Sequence, residues 1–209
     1  MTEKVDLDKW GRRDIFKFFE KTSHPYYSVT FRFDVTELYK YVKANGLSFY
    51  YSLVYLCTEA VNMTDAFGYV IRRGEVYRIG KRCASFTDLK KGSENFHIVT
   101  MKDVGIGTLE DFVREARKKS VAQTVFIEEG EETDDLIYFS CLPWIDVTSV
   151  TNERDMSGDF PADDSIPRIA FGKYVKDGEK YTLSVSVEVN HRLIDGYHIG
   201  LLAENLKTL

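Results

Sequence analysis

The clearest alternation of apolar and polar residues lies near the C-terminus of the chain. Across residues 183–189, leucine and valine alternate with serine and glutamate, a period of two that predicts a strand with one buried face. His191 follows at the end of this strand, and Gly196 permits a backbone turn that a Cβ atom would hinder. Apolar spacing after the turn predicts a helix from about Tyr197 onward. The stretch therefore predicts a strand, a turn with an imidazole, and a helix.

The same patterns predict mixed strands and helices along the rest of the chain. Strands are expected over 26–35, 84–87, 136–144 and 166–175, with a hairpin over 68–79. Helices are expected over 8–19, 34–45, 49–62 and 109–121, whereas 128–135 and 150–165 are predicted loops. We expect an α+β fold, with a two-layer mixed β-sheet covered by helices in one domain spanning residues 1–209.

Length and charge limit the class of protein. The chain has 209 residues, 44% of them hydrophobic, without a run of 18 apolar residues, so we expect one sizeable core and no membrane span. The N-terminus lacks a basic segment followed by an apolar one, which favours a cytoplasmic protein. A net charge of −5 disfavours nucleic-acid binding. Three cysteines, an odd number without metal spacing, are expected to be reduced thiols.

The candidate chemistry lies in the turn after the C-terminal strand. His191 and Asp195 are four residues apart, and a neutral imidazole with one ring nitrogen fixed and the other free could act as a general base. Two alternatives remain open. His191 and His198 could be ordinary histidines whose hydrogen bonds are satisfied at a turn, or they could bind a metal with Asp195. The metal site is disfavoured because Gly196 interrupts the helix where ligands would need it.

Four motifs together resemble the type A chloramphenicol acetyltransferase family, over essentially the whole chain. They are Trp-x-Arg-Arg-x-x-Phe at 10–16, Ser-x-x-Pro-Trp at 140–144, Gly-Lys-Tyr at 172–174 and His-x-x-x-Asp-Gly at 191–196. The superfamily also includes the catalytic cores of dihydrolipoyl acyltransferases. The resemblance implies the fold of that family for this chain.

The resemblance also implies an enzyme that moves an acetyl group from acetyl-CoA, its co-substrate, to a hydroxyl of chloramphenicol or a similar small hydroxylated compound. Antibiotic resistance would be the associated role. His191 is the implied general base, and Ser140 the implied donor to the oxyanion, with no metal. Asp195 and Arg12 are implied to form a salt bridge that shapes the site without touching the substrate.

Further residues are implied to bind the two substrates. Phe18, Phe19 and Phe96 would line the acceptor pocket, although Phe96 could equally be a core residue. Lys173 and Tyr174 match a pair that lies near the adenosine of coenzyme A, although a strand end at the surface would explain them as well. Both assignments come from the resemblance alone.

Three departures from the family pattern bear on the substrate. Ala170 replaces a threonine that is common in the family, Phe19 replaces a tyrosine, and the acidic stretch 152–164 replaces an Asn-rich one. Two other functions therefore stay open: a free-standing relative of the dihydrolipoyl acyltransferase core, suggested by the pair His191-Arg192, and a non-catalytic protein that binds a ligand.

We further expect a homotrimer with active sites between subunits, as in the family. The chain has 14 Phe and 13 Tyr residues, more than one small core obviously needs, and surplus apolar surface is often covered by a partner. No acyl-enzyme is expected, because Cys141 should point to the opposite face of its strand from Ser140.

Overall fold

A computed structural model describes residues 2–90, 92–102 and 107–209 of the protein. The helices are α1 (Arg13–Phe19), α2 (Thr36–Asn45), α3 (Phe49–Met63), α4 (Leu109–Ala122) and α5 (Gly196–Thr208). The strands are β1 (Glu3–Lys4), β2 (Tyr26–Asp34), β3 (Tyr69–Arg72), β4 (Glu75–Arg78), β5 (Cys83–Leu89), β6 (Phe96–Met101), β7 (Leu136–Leu142), β8 (Arg168–Gly172), β9 (Val175–Asp177) and β10 (Lys180–Asn190).

Most strands form one mixed sheet of seven, in the order β2-β10-β8-β7-β5-β6, with β9 also paired to β10. β10 is antiparallel to β2 and β8, whereas β7 is parallel to both β8 and β5. A smaller sheet has the order β1-β4-β3. With helices packed on the main sheet, this architecture confirms the predicted α+β class.

The observed elements differ from the predicted ones in several places. The helix expected from residue 8 begins only at Arg13, because the preceding residues form single tight turns, such as the bonds from Lys9 N to Asp6 O and from Trp10 N to Leu7 O. β6 was not predicted, since the segment 92–99 was expected only to lead into α4, and the two-residue strand β1 was not predicted either. The single strand expected over 166–175 is divided into β8 and β9, which pair separately with β10. The remaining predicted helices and strands are present within a few residues of their expected ends.

The central strand β10 is buried on both faces, whereas its alternation of apolar and polar residues predicted only one buried face. Its apolar face joins the core formed with the helices. The residues of this face are Leu183, Val185, Val187 and Val189; those of the polar face are Ser184, Ser186, Glu188 and Asn190. The segment after β7 covers the polar face and provides hydrogen-bond partners for its side chains. For example, Ser186 Oγ donates to the carbonyl of Val150 at 3.1 Å.

A buried ionic network fastens the acidic loop 150–165 to the sheet. Arg154, only 1% exposed at its side chain, donates from Nε to Glu188 of β10 at 2.8 Å and from Nη1 to Asp164 at 2.7 Å. Its guanidinium also lies 4.2 Å from the ring centre of Tyr26 in β2. The loop is therefore tied to two neighbouring strands.

Among the residues that the structure describes, we find no helix both long enough and apolar enough to span a bilayer.

Candidate active site

His191 lies immediately after β10, where backbone contacts fix its position. Its N–H donates to the carbonyl of Pro25 at 2.8 Å, which extends the pairing of β10 with β2. Its own carbonyl accepts from Arg12 Nη2 at 3.2 Å, and Arg12 Nε donates to the carbonyl of Arg192 at 3.2 Å. The N-terminal segment thus holds the turn that positions the imidazole.

The imidazole of His191 is stacked between two aromatic rings. Ring centres lie 4.1 Å away for Phe19 and 4.5 Å away for Tyr27, with interplanar angles of 26° and 14°. The expected hydrogen bond to one ring nitrogen is absent among the described residues, so stacking holds the ring instead. Burial and then the charge of Arg12 lower the pKa of His191, against an opposing effect of Asp195. The ring is therefore neutral at neutral pH and can accept a proton.

Asp195 connects three parts of the site. Its Oδ2 accepts from Arg12 Nη1 at 2.7 Å, and its Oδ1 accepts from the backbone N–H of Tyr197 at 3.1 Å, which caps α5. Its own N–H donates to Nδ1 of His198 at 3.2 Å. Burial raises the pKa of Asp195, but hydrogen bonding and the charge of Arg12 outweigh it and hold this pKa below its ordinary value.

These two tasks of Asp195 can be separated by mutation. Asp195→Asn keeps an oxygen that caps α5 but loses the ion pair with Arg12, whereas Asp195→Ala loses both. We expect the alanine variant to lose about 1 kcal/mol more free energy of unfolding than the asparagine variant. Urea unfolding at one fixed protein concentration measures the difference. Equal losses would mean that the cap contributes nothing.

Ser140 lies in the middle of β7, far from His191 of the same chain. It pairs with Ala170 in β8, which pairs with Ser186 in β10. His191 follows Ser186 by five residues, and β10 lies two strands away from β7. At standard strand spacings, Ser140 and His191 of one chain are therefore roughly 19 Å apart. The Ser140 hydroxyl makes no hydrogen bond within the described part of the chain, so it remains available as a donor.

Phe96 lies on the edge strand β6, four strands from β10. Phe96 pairs with Leu89 of β5. The register of β5 with β7 then places Leu89 and Phe96 on the same face of the sheet as Ser140. Phe96 and Phe126, with ring centres 5.5 Å apart, line an open cleft of about 470 Å³. Phe18, by contrast, lies next to Phe19 on α1 and is 70% exposed. The predicted acceptor residues are thus divided between the two ends of the molecule.

Lys173 and Tyr174 lie between β8 and β9, at the end of β10 opposite His191. Tyr174 packs against Tyr39 and Tyr181, with ring centres 5.2 and 5.9 Å away. Phe49 completes this aromatic cluster. Cations lie beside it: Lys43 Nζ is 5.4 Å from the ring of Tyr39, and Lys176 Nζ is 5.5 Å from that of Tyr181. An exposed ring, Tyr174, backed by partly exposed rings and flanked by cations, suits a purine that carries phosphates.

Cys141 follows Ser140 in β7 but packs against the core on the other side of the sheet. Burial raises the pKa of its thiol to about 12. A thiol in this state is a poor nucleophile at neutral pH, because the thiolate is the reactive form. Within residues 2–90, 92–102 and 107–209, no three or more His, Cys, Asp or Glu side chains are grouped to hold a metal ion.

Comparison with known proteins agrees with this geometry. The family model described as chloramphenicol acetyltransferase matches residues 1–207. The chain belongs to the chloramphenicol acetyltransferase family. This membership confirms the family expected from the four motifs, and with it the class of enzyme, an acyltransferase.

Individual relatives are distant but extend over the full family domain. The chain is 27% identical to a chloramphenicol acetyltransferase of Proteus mirabilis, over 97% of this chain and 92% of the relative. A solved chloramphenicol acetyltransferase superposes with a TM-score of 0.88 at 22% identity, covering 100% of this chain and 99% of that one. A dihydrolipoamide acetyltransferase of Azotobacter vinelandii gives 0.68 at 17% identity, covering 94% and 85%. These superpositions establish the fold.

Sequence reasoning missed two groups of residues around the family motifs. Tyr27, which stacks on His191, lies in a predicted strand, and its place opposite Val189 becomes visible only with the register of β2 and β10. Tyr39 and Tyr181, which support Tyr174, come from segments 142 residues apart. The large number of tyrosines in the chain was the only feature of the sequence that could have pointed to this cluster.

Proposed function

We propose that this protein transfers the acetyl group of acetyl-CoA to a hydroxyl of chloramphenicol or a similar small hydroxylated compound. The observation that carries the proposal is the neutral imidazole of His191, held between Phe19 and Tyr27 at a strand end, in a chain of this family. An acceptor that is a small molecule follows from the family. The choice of chloramphenicol itself follows from the names of the relatives.

His191 acts first as a general base. A ring nitrogen takes the proton from the acceptor hydroxyl while its oxygen attacks the thioester carbonyl. Ser140 donates a hydrogen bond to the oxyanion that forms on that carbonyl. When the C–S bond breaks, the imidazolium of His191 returns its proton to the departing thiolate, so the products are the acetyl ester and free coenzyme A. No covalent enzyme intermediate is needed, in keeping with the protonated thiol of Cys141.

We infer that the active site is shared between subunits of a homotrimer. His191 and Ser140 of one chain are roughly 19 Å apart, too far to act on one carbonyl, whereas a neighbouring chain could bring its Ser140 to this His191. A ring of three chains would form three such sites and leave no unpaired surface. Exposed apolar residues next to Ser140, such as Trp144 and Ile145, support contact with a partner.

In the same proposal, Arg12 and Asp195 position the histidine turn without touching substrate. Lys173 and Tyr174, with the aromatic cluster beneath them, hold the adenosine end of the coenzyme. Phe96 and Phe126 provide the acceptor side of the shared site, while Phe18 and Phe19 face it from the histidine side.

Release of coenzyme A tests the activity directly. We expect thiol to appear when the protein is mixed with acetyl-CoA and chloramphenicol, and to be absent when either substrate is left out. The 3-O-methyl ether of chloramphenicol, which lacks the reactive hydroxyl, serves as the matched control. Release with other alcohols but not with chloramphenicol would reject the drug and keep the chemistry. No release with any alcohol would reject the proposal.

Two other functions remain testable alternatives. A relative of the dihydrolipoyl acyltransferase core would use dihydrolipoamide faster than every alcohol. A non-catalytic homologue would bind chloramphenicol without releasing coenzyme A, and Ala170 beside Ser140 is the departure that motivates it. The free hydroxyl of Ser140 and the neutral ring of His191 favour an enzyme over the non-catalytic homologue, and the match of the family model to residues 1–207 favours an alcohol acceptor over dihydrolipoamide.

A further inference from the structure

His198 lies in the first turn of α5, close to the turn that carries His191, but the reaction described above gives it no task. Asp195 and His198 form a capping box at the start of this helix, in which the His198 ring accepts from the backbone N–H of Asp195. The residue in that position of a capping box is ordinarily glutamate or glutamine. Neither of these changes its charge near neutral pH, whereas a histidine can. The capping box of this chain therefore depends on a proton.

Nδ1 of His198 lies within hydrogen-bond distance of two groups of Asp195 that have opposite character. The N–H of Asp195 is a donor at 3.2 Å, and its Oδ1, at 3.0 Å, can only accept. Because the N–H donates to it, Nδ1 is unprotonated in this structure and the ring carries its proton on Nε2. A proton on Nδ1 would occupy the only lone pair in the ring plane, so Nδ1 would release the N–H and donate to Oδ1 instead.

The bond from the N–H of Asp195 supports the turn of His191. Arg12 joins the two residues: its Nη1 donates to Oδ2 of Asp195 at 2.7 Å and its Nη2 to the carbonyl of His191 at 3.2 Å. A protonated His198 would add a positive charge beside Arg12 and draw Oδ1 from the N–H of Tyr197, which it accepts at 3.1 Å. The backbone that ends the histidine turn would then lose one hydrogen bond and have its ion pair disturbed.

His198 can exchange protons with solvent, because its side chain is 20% exposed. It lines a cleft of about 270 Å³ on the outer side of the turn. The charged or titratable groups around it are Asp195, Arg12, Tyr197, Asp65 and Tyr69. Asp65 and Tyr69 both bind Arg78. Asp195 and Arg12 are therefore the charges that act on the ring.

Burial lowers the pKa of His198; the charge of Asp195 opposes this effect, and that of Arg12 adds to it. The ring is thus neutral at neutral pH and takes up a proton only in acidic solution. We propose that His198 is a positioning residue for acetyl transfer: its unprotonated Nδ1 holds the N–H of Asp195 and thereby keeps His191 in place. The inference rests on the proposed function, because it takes His191 as the general base. His198 itself touches neither substrate.

Two substitutions separate the hydrogen bond from its dependence on protonation. His198→Gln keeps an oxygen that accepts from the N–H of Asp195, as in an ordinary capping box, but cannot take up a proton. His198→Leu fills a similar space without an acceptor. At about pH 8 we expect kcat of His198→Gln within about threefold of wild type, since the bond is kept. We expect His198→Leu to lose about tenfold in kcat, the effect of one lost hydrogen bond, with both KM values unchanged.

The acid side of the pH profile distinguishes this role from a merely structural one. As pH falls, kcat/KM of both wild type and His198→Gln should decrease with the protonation of His191. Wild type should decrease about tenfold further, because protonation removes the same bond that leucine removes. Parallel profiles, with acetylation intact, would overturn the role of His198 and leave the proposed function standing. This comparison does not need His198→Leu, so it holds even if that variant does not fold.

Failure of the proposed function would be recognised separately. If wild type releases no coenzyme A with any alcohol, an NMR titration of wild type and His198→Gln decides the matter. In wild type, the backbone amide of Asp195 and the ring of His191 should both shift at the pH where the His198 ring takes up its proton. Both steps should be missing in His198→Gln. A wild type in which neither signal responds to the protonation of His198, or a variant that keeps both steps, would overturn the inference.

Discussion

Replacing His191 with alanine should lower kcat by roughly two to four powers of ten, the usual contribution of a positioned general base. The loss should leave KM for acetyl-CoA nearly unchanged, because His191 lies far from the aromatic cluster around Tyr174. Steady-state thiol release measures both constants, and circular dichroism with thermal unfolding checks that the variant folds. A rate within a few-fold of wild type would remove His191 from the mechanism.

The stacking of His191 allows a stricter control on this variant. Alanine leaves a slot between Phe19 and Tyr27 that matches an imidazole ring, so added imidazole should restore part of the lost rate. His191→Phe fills the same slot and should gain nothing from imidazole. A merely structural histidine would show neither rescue nor this difference between the two variants.

The pH profile of the wild type provides an independent measure of the same group. Because burial and Arg12 lower the pKa of His191, the base is already unprotonated at neutral pH. We expect kcat/KM to rise with pH through a midpoint below the ordinary histidine value of about 6.5 and then to level off. A midpoint above that value would contradict the assignment of the base.

Replacing Ser140 with alanine should lower kcat by roughly two to three powers of ten, the effect of losing one donor to an oxyanion. Stability should change little, because the hydroxyl has no partner within the described chain. Ser140→Cys, which keeps nearly the same size but is a weaker donor, serves as the matched control and should recover little activity. An unchanged rate in Ser140→Ala would show that the hydroxyl does not act on the oxyanion.

Mixing the two inactive chains tests the sharing of sites. If each site takes His191 from one subunit and Ser140 from the next, random exchange of equal amounts of His191→Ala and Ser140→Ala chains makes about a quarter of the sites fully native. Activity should rise from near zero towards that fraction after exchange. No recovery despite exchange verified by mass spectrometry, or a monomeric mass with activity intact, would reject the shared site.

Much of the fold could be predicted from the chain because local patterns agree with it. The alternation of residues 183–189 located β10, and apolar residues at helical spacing located α2 and α3. β6 was missed because two of its buried residues are polar: His97 and Thr100 bond to Ser120 and Ser85. Hydrophobic periodicity cannot reveal that a polar side chain is buried when its hydrogen-bond partner comes from a distant segment.

The candidate site, like the fold, was predicted only where neighbouring residues in the sequence carry the signal. The motifs brought together Arg12 and Asp195, which the structure places 2.7 Å apart. They did not reveal that Ser140 lies at a distance from His191 in the chain, because that depends on the register of three strands. Nor did they indicate Tyr27, since His191, on which it stacks, belongs to another element.

The network around Arg154 has a consequence for how the acidic loop could evolve. Glu188 belongs to the central strand, and its charge is buried against the loop's Arg154. Exchanging residues 152–164 for an Asn-rich stretch would leave this carboxylate unpaired, at a cost of about 3–5 kcal/mol. A loop transplant between relatives should therefore succeed only when Glu188 is replaced in the same step. Arg154 of the loop and Glu188 of the strand must therefore be retained together or replaced together.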